Sequence, residues 1–135
     1  MNLVIPWLSS FVLLIIIDTI WFSIMGAKFY KLHMSHIIYS FDYYIAAIFY
    51  FLYSFGIYYL VISPGLQLNH SLSNIAIKGF ILGLVAYGAY NLTNHATIKN
   101  WPVMVTVVDM TWGASLTCIV STLTYYIRLL VLSEA

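Results

Sequence analysis

The residues able to do chemistry are few and lie in apolar surroundings. Asp18 and Trp21 belong to DTIW in the first apolar run. Tyr87, Asn91, Asn94, His95, Asp109 and Trp112 all fall within YGAYNLTNHATIKNWPVMVTVVDMTWG, residues 87–113. A carboxyl group in such a setting can take up and release a proton, and two of them close together titrate as a coupled pair. Asparagine side chains can orient a solute through paired donors and acceptors, while tryptophan and tyrosine rings can wall a pocket. The plain alternative is interhelical glue, since buried polar side chains hydrogen-bond across membrane helices.

Composition places these groups in a membrane. The chain has 135 residues, of which 63% are hydrophobic, 18% aromatic and only 7% charged. A soluble domain carries roughly a quarter charged residues, so this chain cannot dress a water-facing surface. Its net charge of +1 suggests no nucleic-acid partner. The single cysteine, Cys118, sits in an apolar run and reads as a small packing residue.

A hydrocarbon core about 30 Å thick needs roughly 20 apolar helical residues. Four stretches qualify, at about 3–27, 43–63, 75–95 and 101–127. The expected fold is therefore all-α: an integral membrane protein with a four-transmembrane-helix bundle, short loops and a single polytopic domain over residues 1–135. Pro64 and Gly65 are read as ending the second span, and Lys78 as snorkelling at the start of the third. The first and third loops carry Lys28, Lys31 and Lys99, against Lys78 and Arg128 on the side of the termini. Positive-inside counting thus puts the termini outside, by a narrow margin.

Depth then groups the polar residues. Asp18 precedes the exit of span one, and Asp109 follows the entry of span four, by similar counts. At 1.5 Å per residue both carboxylates lie roughly 12 to 13 Å inside the same face. Asn91 falls in that layer if span three continues towards Lys99. Tyr87, Asn91 and Asn94 share a helical stripe, with His95 beside it nearer the loop. DTIW and DMTW each place aspartate and tryptophan at i and i+3, as an inverted half-repeat or as a coincidence. Because the two helices run oppositely, Trp21 is expected nearer the loop and Trp112 deeper. No lysine or arginine lies at this depth, so each aspartate is expected either to be protonated or to be held by Asn, Tyr, His and water.

Other chemistries find little footing. His33 and His36 have an i, i+3 spacing but read as solvated loop residues, and no metal site is expected. No cofactor is expected either: two-histidine haem ligation has no support from helix placement. There is no G-x-S-x-G and no phosphate-cradling glycine loop. Gly79-x-x-x-Gly83 reads as close helix packing. The tyrosines of residues 43–59 read as packing and belt residues, with Tyr43 and Tyr44 placed to reach the polar layer.

The opening stretch, together with DTIWF in the first span, resembles the bacterial membrane-protein family called domain of unknown function 2177. The match rests on Tyr87-Gly88, Tyr90, Leu92-Thr93-Asn94, Ala96-Thr97, Trp101-Pro102, Asp109 and Trp112-Gly113, and extends over nearly the whole chain. The resemblance implies a small multi-pass protein of the bacterial inner membrane and supplies no activity, substrate or cofactor. It also implies that Asn91 keeps a polar role often filled by aspartate. His95, often replaced by an apolar residue, becomes the weakest site candidate.

Three functions stay open. The first is binding or transport of a small hydrophobic or weakly polar solute, coupled to protons at Asp18 and Asp109. Asn91 and Asn94 would orient that solute between Trp21, Trp112 and Tyr87. Four helices enclose little volume, so a homodimer is expected. The second is a lipid- or isoprenoid-modifying enzyme using Asp109 as acid or base, with Asn91 or His95 orienting the substrate. The third is a subunit whose polar layer binds helices of a membrane complex. Membrane lipids are partners under all three.

Overall fold

The computed structural model describes residues 4–37 and 40–133; Leu3, where the first span is expected to begin, lies outside them. Four helices long and apolar enough to cross a membrane make up the fold: α1 (Val4–Met34), α2 (Tyr43–Gln67), α3 (Leu72–Thr97) and α4 (Val103–Ser133). No strand occurs among the described residues. In hydrocarbon a backbone must satisfy its own hydrogen bonds, and long apolar sequence therefore becomes helix.

Helix ends are set locally. Pro6 occupies the first turn of α1, where its missing N–H costs nothing. The Asp42 carboxylate accepts from the Tyr44 and Ile45 amides at the start of α2, at 2.9 and 3.2 Å. Ser71 Oγ accepts from the Asn74 amide at the start of α3. Asn100 takes a φ of 62° in the turn before α4, a conformation asparagine tolerates better than most residues.

Two helices run on further than the apolar pattern suggests. Helix α1 passes Ala27 through a π turn, Gly26–Tyr30, and continues to Met34. Helix α2 passes Pro64 after its own π turn, Tyr58–Ile62, and ends at Gln67. Proline does not stop α2 because it stands in a first turn after the π segment, where no intrahelical donor is needed. In α1 the inserted residue rotates the last turns, so that Tyr30 and Met34 become buried against Trp101 and Val105 of the third loop and α4.

Helix α4 is the hub. It pairs most extensively with α3, and also packs on α1 and on the π segment of α2. The α3–α4 contact is close because Gly79 and Gly83 face Thr117, Ser121, Gly113 and Ala114. The interior sets polar groups among apolar ones such as Leu14, Ile57, Ile62 and Val120, while the outside is apolar. Ser10, Asp18, Ser54, Asn91, Thr106, Asp109, Thr117, Ser121, Thr124 and Arg128 are buried, whereas Ile16, Leu52, Val85 and Val107 are exposed.

The terminal end of the bundle is tied by Tyr125, whose hydroxyl donates to the carbonyls of His70 (2.7 Å) and Gly65 (3.2 Å). Tyr125→Phe leaves both carbonyls without that donor and opens no cavity. It is expected to lower stability by about 1–2 kcal/mol, read from thermal unfolding in a mild detergent.

Candidate functional site

Each carboxylate accepts two hydrogen bonds from neutral donors on other helices. Asp18 of α1 receives the Tyr50 hydroxyl of α2 at 2.6 Å and the Trp112 Nε1 of α4 at 2.9 Å. Asp109 of α4 receives the Tyr30 hydroxyl at the end of α1, at 2.7 Å, and the Asn91 Nδ2 of α3, at 2.6 Å. Trp21 Nε1 donates to the Tyr30 hydroxyl at 3.2 Å, which therefore receives from tryptophan and gives to Asp109. All four helices thus contribute to one polar layer. Asp18 is 2% and Asp109 8% exposed, and the two carboxylates lie within electrostatic reach of one another.

The two D-x-x-W segments serve each other. Trp112 donates to Asp18 directly, and Trp21 reaches Asp109 through Tyr30. Their indole rings stack, with centroids 4.2 Å apart and planes 5° from parallel. This corrects the expectation that Trp21 lies nearer the loop and Trp112 deeper. Helical side chains lean towards their own N-terminus. In antiparallel helices that lean carries Trp21 inwards and Trp112 outwards, so the rings meet.

Asn91 is fully buried. Its Nδ2 spends both hydrogens, on Asp109 and on the Tyr87 carbonyl at 3.0 Å. Its Oδ1 has no donor. Tyr87 lays its ring over Gly113, where a Cβ would stand 2.0 Å from the ring. The Tyr87 hydroxyl lies within electrostatic reach of Asp18, Asp109, Tyr50 and Tyr53. Asn94 is half-buried beside Tyr90, nearer the loop. His95 is exposed; Thr106 Oγ1 accepts from Trp101 Nε1 at 3.0 Å and faces His95 Nδ1 at 3.3 Å. The structure therefore groups Asp18, Trp21, Tyr87, Asn91, Asp109 and Trp112, and sets Asn94 and His95 on the loop side of them.

Tyr30 and Tyr50 escape the sequence reading. Tyr30 falls beyond the expected end of span one, after Lys28, and only the π turn brings it inside. Tyr43 and Tyr44, expected to reach the layer, are instead 78% and 84% exposed. Tyr50 takes that place because it lies about 10 Å further into α2 than Tyr43, at the aspartates' level. The same depth count that groups Asp18 with Asp109 would have singled it out.

A lateral groove of about 360 Å³ adjoins the layer, lined by Trp21, Val107, Val108, Thr111, Trp112 and Ser115. Its two hydroxyls are spent on the helix backbone, Thr111 on the Val107 carbonyl and Ser115 on that of Thr111. The groove is thus apolar towards the bilayer, and two of its walls carry N–H groups of the polar layer: that of Trp112 donates to Asp18, and that of Trp21 to the Tyr30 hydroxyl that serves Asp109. Among the described residues no group of three or more His, Cys, Asp or Glu side chains is placed to hold a metal ion.

Four apolar helices that turn their polar side chains inwards define a polytopic α-helical membrane protein. The chain belongs to the family described as predicted membrane protein (DUF2177), whose model matches residues 3–126. No curated protein and no solved structure matches it.

Proposed function

We propose that the protein binds a hydrophobic or weakly polar solute from the bilayer in the lateral groove, and that binding is coupled to proton uptake at Asp18 and Asp109. The observation that carries this reading is the stacked Trp21–Trp112 pair. Each ring lines the groove on one side, and its Nε1 supplies the aspartate network on the other. An occupant that shifts the rings must alter the donors of the carboxylates. Conversely, a proton on Asp18 turns an acceptor into a donor, which then opposes Tyr50 or Trp112. Linkage makes the two effects reciprocal.

Asn91 Oδ1 supports a solute with a donor group, such as an alcohol, amine or protonated acid. A buried acceptor without a partner is costly in hydrocarbon, and the protein supplies none. Tyr87, whose ring covers Gly113, and Asn94, on the loop side of the layer, lie outside the groove's lining and are reached in this reading only when the solute moves the tryptophan rings. We place the protein in the bacterial inner membrane with its termini outside. Lys28, Lys31 and Lys99 lie at the opposite end from the termini, against Lys78 and Arg128 beside them. Because the groove lies between two helices of a small bundle, a second copy facing it would enclose the solute; a homodimer belongs to this reading.

The test is quenching of tryptophan fluorescence by brominated long-chain alcohols and amines, with purified protein in lipid nanodiscs across a pH series. Affinity is expected to change by about tenfold between low and high pH, a coupling within the usual range. In Asp18→Asn the change should largely disappear. Affinity that is the same at every pH in the wild type would end the coupling, and absence of saturable quenching would end the groove itself.

A further inference from the structure

On α4 a second set of polar groups lies towards the other end of the helix, away from the aspartate layer. Ser121, Thr124 and Arg128 follow one another at i, i+3 and i+7 and so share a stripe. All three are buried: Ser121 and Thr124 fully, Arg128 to within 8%. Ser121 Oγ, Thr124 Oγ1 and Arg128 Nε have no hydrogen-bond partner. The contrast with the rest of α4 is informative. Thr111, Ser115, Thr117 and Thr122 all donate to the carbonyl four residues before them. The hydroxyls of Ser121 and Thr124 do not: Ser121 Oγ packs on Gly79 of α3, and Thr124 Oγ1 is left without a partner.

Arginine stays charged at every relevant pH, and a buried guanidinium needs an anion. None of the described acids can supply one. Asp18 and Asp109 are engaged in their own layer, and Asp42 caps α2 at the opposite end of the bundle. The remaining acid in the sequence, Glu134, lies outside the described residues. Lys78 adds positive charge at the same end of the bundle. Lys78 Nζ donates to His70 Nδ1 at 3.2 Å, and the His70 carbonyl is held by Tyr125, one turn before Arg128.

Position and shape indicate the source of the anion. Arg128 lies roughly 37 Å along α4 from Val103 at 1.5 Å per residue. That is beyond a hydrocarbon core about 30 Å thick, and therefore in the headgroup layer. At the same end of the bundle, between α1 and α4, runs an apolar groove of about 390 Å³ lined by Ile5, Leu8, Ser9, Val12, Leu13 and Ile127. Arg128 is not in this lining but stands about 100° round α4 from Ile127, within the sweep of a long side chain, and from Ile5 to Leu13 the groove descends about 12 Å towards the membrane centre.

We propose that Arg128, with Thr124 one turn deeper, binds the phosphate of an anionic phospholipid whose acyl chain occupies the groove between α1 and α4. The guanidinium supplies charge-assisted donors to the phosphate, and Thr124 adds a hydroxyl. Lys78 disfavours a headgroup that carries its own ammonium. This site is independent of the aspartate layer and of the solute groove.

The experiment uses the full chain in a mild detergent. Thermal unfolding is followed while short-chain phosphatidylglycerol, phosphatidylcholine or inorganic phosphate is added. Phosphatidylglycerol is expected to raise the midpoint saturably, with at least about tenfold tighter apparent binding than phosphatidylcholine. Arg128→Gln should weaken it by about tenfold or more, as loss of a charge-assisted contact does. Should that variant fail to fold, Arg128→Lys and Thr124→Val serve instead, and each is expected to weaken binding severalfold. Leu8→Trp fills the groove and should reduce lipid binding alone. Equal stabilisation by inorganic phosphate, with the same Arg128 dependence and no effect of Leu8→Trp, would keep the anion site and overturn the lipid as its source. Equal binding of the two lipids, or undiminished binding in the Arg128 and Thr124 variants, would overturn the proposal.

Discussion

Gly83→Leu is expected to prevent the bundle from assembling. A Cβ at Gly83 would stand 2.2 Å from the Gly113 carbonyl oxygen, 2.7 Å from Thr117 Oγ1 and 2.8 Å from the Ala114 Cα. Two of these atoms are backbone, so relief requires α3 to move away from α4. That movement has a cost beyond the contact itself. Asn91 and Asp109 meet across the same pair of helices at 2.6 Å, and hydrogen bonds weaken steeply when stretched.

Even Gly83→Ala is expected to cost about 2–4 kcal/mol, at or above the usual range for overpacking. Gly56→Ala is the control. A Cβ there meets nothing within 4 Å, and the change is expected to stay within about 0.5 kcal/mol. Gly88→Ala should fall between them, because its nearest neighbour is the flexible end of Met110, at 3.2 Å. Thermal unfolding in detergent and the monodispersity of each variant measure the series. A Gly83→Ala protein as stable as Gly56→Ala would mean that α3 and α4 do not approach as described.

The four helices and the common layer of Asp18, Asn91 and Asp109 are legible in the sequence because both follow from fixed lengths. A bilayer sets the span, and a rise of 1.5 Å per residue sets the depth. Azimuth is less legible. In a helix that is apolar on every side, no polar face marks which way a residue points, so depth brings Tyr50 to the aspartates' level without showing that it faces them. Helix ends are also obscured where charge and fold disagree. Lys28 and Lys31 read as loop, yet α1 carries them through a π turn that no residue pattern announces.

The meeting of Trp21 and Trp112 required the direction of the side chains as well as the positions of their backbones. Arg128 enters the sequence reading only through its charge, and nothing in its neighbours indicates that it is buried. Burial is a property of the helix pairing, and α4 pairs on three sides.

Asp109→Leu is expected to be the most damaging change within the polar layer. Removing the carboxylate leaves the Tyr30 hydroxyl and one of the two Asn91 Nδ2 hydrogens without acceptors, and Trp21 then donates to a tyrosine that has lost its anchor. Each unsatisfied buried donor costs about 1–3 kcal/mol, so a loss of about 2–5 kcal/mol is expected. The same principle predicts a rescue. In Asn91→Leu/Asp109→Leu one orphaned donor is gone together with its acceptor, as is the unpartnered Asn91 Oδ1. The double variant should therefore be more stable than the sum of the single changes implies, by about 1–3 kcal/mol.

Tyr30→Phe should cost less than Asp109→Leu, because Asp109 keeps Asn91. If the two leucine substitutions add without coupling, Asn91 and Asp109 do not meet in the membrane. If the double variant recovers stability but no longer shows pH-dependent solute binding, the polar pair serves binding at the expense of the fold. A pair that acted only as glue would show the opposite pattern: stability would fall, and any binding would persist in whatever protein still folds.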